Sequence, residues 1–228
     1  MKSRYPRIAE ILEEFRLVVV GKRSWSDALV PPLVFVLINL IFGIWPAIAC
    51  AVGLSLVITV VRLLRRHPLR YALGGLSGVT VASLLAIGLS RGEGYFLPGM
   101  ASGAVTSTLC LISVIARRPL VAWTSYIARR WPRDWYWHPR VRPAYSEVTL
   151  AWFAFFSARL LTQYLLFQRG ATLALSTVNL ILGWPSITLL LVGSYIYGLW
   201  RLRQLKGPSV EEFLGKKAPP WTGQKRGF

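Results

Sequence analysis

The sequence predicts an all-α fold: a polytopic membrane bundle of six transmembrane helices in three hairpin-like repeats, preceded by an N-terminal amphipathic helix. Three observations carry this prediction. Hydrophobic residues make up 54% and charged residues 16% of the 228 residues, whereas a soluble domain has about 45–50% apolar and about 25% charged residues. The apolar residues gather into runs near the ~20 residues that a helix needs to cross a hydrocarbon core of about 30 Å. The 27 Lys and Arg, set against 9 Asp and Glu for a formal charge of +18, concentrate in alternate connections between those runs. A mean hydropathy of +0.47 also excludes a disordered chain, which needs low hydrophobicity. Nineteen glycines in no period and two cysteines exclude collagen-like and disulfide-framework classes.

Residues 1–24 form the first element. Ile8, Ile11, Leu12, Phe15 and Val19 recur at helical spacing, Glu10, Glu13 and Glu14 lie off that face, and Arg4, Arg7, Lys22 and Arg23 flank it. Such a helix either lies in the headgroup plane or packs as a cytosolic helix on the membrane domain. It is not a secretory signal, which has a short apolar core near the N-terminus and a small-residue cleavage site. The spans follow within a membrane domain of residues 25–204: Trp25–Ile44, Pro46–Leu64, Tyr71–Leu89, Pro98–Ala116, Tyr145–Phe167 and the shorter Pro185–Trp200. Several open on proline, which is tolerated in a first helical turn because its missing N–H would have no partner there. Leu173–Leu182 reads as a short helix in the outer leaflet. Residues 117–144 are a cytoplasmic loop and residues 205–228 a basic cytoplasmic tail.

Counting cations by segment fixes the orientation. Residues 1–24, 62–70, 117–142 and 201–226 hold 24 of the 27, while Arg91 and Arg169 alone fall in the opposite connections and Arg159 lies within a span. The positive-inside rule then places both termini in the cytoplasm. The cations are juxtamembrane and carry no nucleic-acid motif, so anionic lipid headgroups are the expected partner rather than nucleic acid, at roughly 1 kcal/mol per nearby cation. Trp131, Arg133, Trp135 and Trp137 fit an aromatic belt at headgroup depth, and the pairs Arg65–Arg66 and Arg117–Arg118 mark the same interface. A partner-docking loop, in a homo-oligomer or on another membrane protein, is the other reading of this segment.

The hairpins repeat. Asn39-Leu-Ile-Phe-Gly-Ile-Trp-Pro46 matches Asn179-Leu-Ile-Leu-Gly-Trp-Pro185 with one residue deleted, and Arg62-Leu63 aligns with Arg201-Leu202. Pro46 and Pro98 are spaced like Arg65-Arg66 and Arg117-Arg118, and each arginine pair precedes Pro-Leu. Proline at one end and arginine at the other are what any helix of this orientation prefers. The Asn-Leu-Ile-x-Gly match is the part that topology alone does not explain.

Several of these residues resemble a known family. Ala28-Leu-Val-Pro-Pro-Leu-Val-Phe35, Arg65-Arg-His-Pro-Leu69, Tyr95-Phe-Leu-Pro-Gly99, Arg117-Arg-Pro-Leu120 and Ala144-Tyr-x-x-x-Thr-x-x-Trp152 with Arg159 and Gln163 look like the DUF3159 family of bacterial integral membrane proteins, over roughly residues 20–205. The resemblance implies a multi-pass protein of a bacterial cytoplasmic membrane and supplies no activity. A weaker similarity is to septation-associated inner-membrane proteins of the YciB kind.

Arg159 is the leading candidate for a site. An arginine near mid-span costs about 2.5–3.5 kcal/mol on insertion scales, so it normally faces a partner or water. Thr149, Trp152, Phe156, Arg159 and Gln163 share one helix stripe. Asn39, Asn179 and Glu93 are the other polar groups expected toward the outer half, with Glu93 as a counter-ion in an outward-facing polar pocket. The plainer reading is that Arg159 only locks helices together. Asp27 reads as an N-cap. His67 and His138 lack metal-ligand spacing, Cys50 and Cys110 differ in depth by about 12 Å, too far for a disulfide, and no nucleotide, hydrolase or paired-carboxylate motif occurs. The expectation is therefore a non-enzymatic solute or ion permeation or binding protein without a cofactor or metal. The alternative is a cell-envelope scaffold whose cytoplasmic segments bind partners.

Overall fold

The computed structural model describes residues 25–65, 69–224 and 227–228. The amphipathic helix expected over residues 1–24 lies outside them, as do Arg66 and His67. Among the described residues every regular element is helical, and the chain divides into two compact units, Met1–Tyr95 and Phe96–Phe228.

In the first unit, α1 (Trp25–Phe42), α2 (Ile44–Leu64) and α3 (Leu69–Gly88) follow one another with short connections. Contacts join α1 to α2 and α2 to α3. Gly43 separates α1 from α2 at φ +84°, a left-handed conformation that favours glycine. The face that α2 buries is Ala47, Ala51, Ser55 and Thr59, a four-residue repetition of small side chains that lets neighbouring backbones approach closely. Thr59 satisfies its hydroxyl on the Ser55 carbonyl at 2.8 Å. Ala82, Ser83 and Ala86 are the buried counterparts on α3. A 3-10 turn (Gly92–Phe96) follows, and its Tyr95 ring stacks on Phe35 of α1 at 4.1 Å.

The second unit is organised around one helix. Its elements are α4 (Leu97–Ile115), α5 (Leu120–Arg129), α6 (Arg133–Trp137), α7 (Arg142–Gln168), α8 (Thr172–Ile181), α9 (Trp184–Leu205) and α10 (Val210–Leu214). The 27-residue α7 contacts α4, α5, α6, α8 and α9. At about 40 Å it is longer than a hydrocarbon core is thick. Its N-terminal turns, Val141 to Val148, are walled by Val121 and Ala122 of α5, Trp135 and Tyr136 of α6, Leu202 of α9 and Phe228, and together these form the hydrophobic core of the unit.

Four helical stretches are long and apolar enough to cross a membrane: Ile44–Leu64, Gly92–Ile115, Arg142–Gln168 and Thr172–Leu205, with shorter apolar helices at Pro31–Phe42 and Gly75–Gly88. Helix covers each of the six apolar runs of the sequence. The last of them continues past the Trp200 limit to Leu205, because Arg201 and Arg203 at a helix C-terminus face the macrodipole favourably and do not end it. The short helix expected over Leu173–Leu182 is a separate element, α8, divided from α9 at Leu182 and Gly183. Gly43 and Gly183, the glycines of the sequence repeat, are both N-caps of the helix that follows, and their carbonyls accept from Ala47 and Ile187.

Candidate functional site

Helix α7 carries two polar clusters, one near its N-terminal end and one deep along its length. Between Glu147 and Arg159 the helix rises about 18 Å.

The deep cluster joins Arg159, Gln163 and Asn179. Arg159 and Gln163 are one turn apart on α7, and Asn179 sits in the last turn of α8. The Asn179 side-chain oxygen accepts from Gln163 Nε2 at 2.7 Å and from Arg159 Nη2 at 3.2 Å. Its amide nitrogen donates to the Leu175 carbonyl at 2.9 Å, which holds the group in one orientation. Gln163 is 1% exposed, so its amide is committed to this contact. The arginine is not used up: among the described residues its one hydrogen bond is to a neutral amide, and Nε is buried with no partner. A guanidinium has five N–H donors and a permanent positive charge. Holding such a group half-buried is costly where no opposing charge stands beside it. The helices around the cluster are tied by neutral pairs: Trp152 Nε1 donates to Ser194 of α9 at 2.8 Å, and Ser107 of α4 shares a hydrogen bond with Ser157 of α7 at 2.7 Å.

The other two pocket candidates belong to the first unit. Asn39 is half-buried near the end of α1, against Gly92, where an added Cβ would lie 2.6 Å from its amide nitrogen. Glu93 is 6% exposed in the 3-10 turn.

The cluster near the start of α7 has no counterpart in the sequence reading. Glu147 accepts two hydrogen bonds from Arg201 Nε, at 2.8 and 3.1 Å, one from Arg201 Nη2 at 2.8 Å and one from the Tyr197 hydroxyl at 2.7 Å. A carboxylate gripped by a guanidinium fork is saturated, so this cluster ties α7 to α9 and has nothing left for a ligand. The one sequence signal was that Glu147 is the sole acid between Asp134 and Glu211.

The belt residues separate by position. Arg65, Arg117, Arg118 and Arg133 are exposed, and Trp131 and Trp137 are half-buried. Trp135, expected at headgroup depth, is instead 0% exposed and donates from Nε1 to the Pro208 carbonyl at 2.8 Å. The reason is the tail, which folds back. Residues 207–224 pack along α6, and Phe228 stacks on Tyr145 at 4.3 Å, its main-chain oxygen accepting from Arg129 Nε at 3.2 Å. Gly198 of α9 lines the same slot; a Cβ there would collide with the Phe228 ring. A capping box, Ser209 with Glu212, starts α10. Backbone N–H groups of Ser209 and Thr222 hold the Glu212 carboxyl down at about 2. Burial pushes the Tyr136 hydroxyl up, and burial with the nearby Arg140 charge pushes His138 down.

Among the described residues no three His, Cys, Asp or Glu gather to hold a metal, and Cys50 and Cys110 are free thiols, the first exposed and the second buried.

Apolar helices of spanning length, with an arginine well inside the longest, define an integral membrane protein. The family described as "Protein of unknown function (DUF3159)" matches residues 19–203, and the chain belongs to that family. No curated protein and no solved structure matches, so the weaker likeness to septation proteins gains no support.

Proposed function

We propose that the protein is a non-enzymatic binding or permeation protein for a small monovalent anion, held against Arg159 inside the membrane-spanning part of the second unit. In this reading the chain crosses a bacterial cytoplasmic membrane six times with both termini inside, as the one-sided distribution of cations supports. Counting back about 30 Å from Gln168 reaches Val148, which leaves Arg159 about 14 Å from the outer end of α7, near the bilayer centre. The observation that carries the proposal is the unpartnered Nε of Arg159 on a side chain whose one hydrogen bond among the described residues is to a neutral amide. Asn179, itself held by Gln163, anchors the guanidinium through Nη2, and a carboxylate taken bidentately would supply the partner that Nε lacks.

The test is flux and binding with the full chain in liposomes, using chloride and acetate as probes. Wild type should pass or bind at least one of them, Arg159→Leu neither, and Arg159→Lys should retain part. Equal behaviour of wild type and Arg159→Leu toward both probes overturns the reading.

The folded assembly around Tyr145 favours a second reading, a scaffold with a cytoplasmic docking surface. Removing residues 208–228 would not test it cleanly, since Phe228 is part of the core. Charge reversal at the exposed Lys216 and Lys217 would, by weakening a partner while leaving anion flux intact.

A further inference from the structure

Helix α5 is apolar on two opposite faces. Val121, Ala122 and Ser125 are buried against the unit, and Val121 N–H donates to Thr149 Oγ1 of α7 at 3.3 Å. The face turned away from them carries Leu120, Trp123, Thr124 and Ile127. Leu120 and Trp123 are half-buried, Ile127 is 71% exposed, and Thr124 turns its hydroxyl back to the Val121 carbonyl at 2.9 Å, which leaves its methyl group outward. A helix stripe of this kind is normally turned to a core; here, among the described residues, Trp137 touches Trp123 at 5.6 Å between ring centroids and the rest of the stripe, Ile127 above all, stays uncovered. Its two ends are basic: Arg117 and Arg118 precede it and Arg130 follows, all three exposed. Residues 117–142 hold seven arginines and one acid, Asp134. Not every cation is available, since Arg129 turns inward to Phe228 and lies over Trp131 at 5.1 Å.

The height of α5 in the fold decides what it meets. Its first turn is tied to the last turns of α4, where Leu120 N–H donates to Ser113 Oγ at 2.9 Å, and to Thr149 on α7. Thr149 lies about 29 Å from Gln168 along the helix axis, one hydrocarbon thickness. The two helices that flank α5 thus bring its N-terminus to the level where acyl chains give way to headgroups. A stripe with leucine, tryptophan and isoleucine on one side and arginines at both ends has the chemistry of an interfacial helix.

We infer that α5 lies in the membrane interface, with Leu120, Trp123 and Ile127 among the acyl chains and Arg117, Arg118 and Arg130 binding the phosphates of anionic phospholipids. Three positive charges that meet no acidic partner among the described residues favour a lipid over an acidic protein segment, because the arginines sit beside an apolar stripe and beside spanning helices. The inference does not depend on what, if anything, Arg159 binds.

Two measurements on the full chain test it, in bilayers of phosphatidylglycerol and phosphatidylcholine at 3:7. With a nitroxide at position 127 (Ile127→Cys in a Cys50→Ser, Cys110→Ala background), oxygen should relax the label strongly and a water-soluble nickel chelate weakly, with the reverse for a label at Arg133→Cys. With unlabelled protein and spin-labelled lipids, wild type should prefer phosphatidylglycerol severalfold, and Arg117→Gln/Arg118→Gln/Arg130→Gln should bring the preference close to parity, each arginine accounting for up to about fivefold. A label at 127 that meets the nickel chelate as freely as one at 133 overturns the inference. So does a label immobilised and reached by neither reagent, which would show a protein partner on this face, and so does a lipid preference unchanged in the triple variant, a result that needs no cysteine.

Discussion

The two ends of α7 treat charge in opposite ways. At Glu147 a carboxylate receives four hydrogen bonds from Arg201 and Tyr197, at the partly exposed edge of the unit. At Arg159 a guanidinium donates, among the described residues, one hydrogen bond to a neutral amide and buries a further donor without a partner. Both clusters join α7 to a neighbouring helix, but only the first is complete as it stands. Completeness is what a structural pair needs, since a buried charge stabilises only when its partners saturate it. In the reading proposed above, the contrast separates an N-terminal end that maintains the fold from an Arg159 cluster that meets a ligand.

The largest blow to the N-terminal end of α7 should come from Trp135→Ala. The ring is fully buried and its N–H holds the tail through Pro208, so the change should cost about 3–5 kcal/mol. That corresponds to a fall in Tm of roughly 10 °C for a chain of this size, read by thermal unfolding in detergent. A fall within 1–2 °C would show that the tail and α6 add little to the fold, and the contrast between the two ends would lose its first half.

Glu147→Gln should cost less, about 1 kcal/mol. Both partners are 31% exposed, and pairs of this exposure are weakened by solvent and salt. The coupling is best taken from a cycle with Arg201→Gln, and it should shrink between 50 mM and 1 M salt. A coupling indifferent to salt would mean that the pair is shielded by lipid or protein beyond what the chain itself provides.

Much of this fold was legible in advance, and the parts that were not share a cause. Run lengths and prolines placed α1, α2, α4 and α7 because membrane spans are written locally, in apolar length. The Asn-Leu-Ile-x-Gly repeat marked the breaks at Gly43 and Gly183, since a helix interruption is also local chemistry. Arg159, Gln163 and Asn179 stood out as polar residues in apolar surroundings; that Asn179 takes hydrogen bonds from both of the others required the turn between α7 and α8. Trp135 misled because tryptophans among arginines have the same composition in an interfacial belt as in a small core, and what decides is burial by Pro208, 73 positions away. Glu147 and Arg201 are 54 positions apart, a pairing that no local pattern announces.

A smaller effect than that of Glu147 is expected from acid. Glu212 titrates at about 2 in the folded chain and near 4.5 unfolded. Its contribution is therefore whole above pH 4.5 and is lost progressively as the pH falls toward 2. Unfolding of the tail, followed by Trp221 exposure to a soluble quencher, should begin below pH 4.5. In Glu212→Gln that acid dependence should be missing. A wild-type profile flat between pH 5 and 3 would place the tail's stability in Phe228 and Pro208 rather than in the capping box.

The smallest change in stability should follow Arg159→Leu, and it is the most informative of the four. If the guanidinium were a structural clamp, replacing it would strand Asn179 and cost several kcal/mol, as breaking a buried charged contact does. In the ligand reading the loss is one neutral hydrogen bond of about 1 kcal/mol, offset by removing a charge that costs about 2.5–3.5 kcal/mol to place at mid-membrane. Asn179 keeps its bonds to Gln163 and Leu175. The Tm of the variant should therefore match or slightly exceed that of wild type while acetate and chloride responses vanish. A Tm several degrees lower would make Arg159 the same kind of residue as Glu147 and erase the difference between the two ends of the helix.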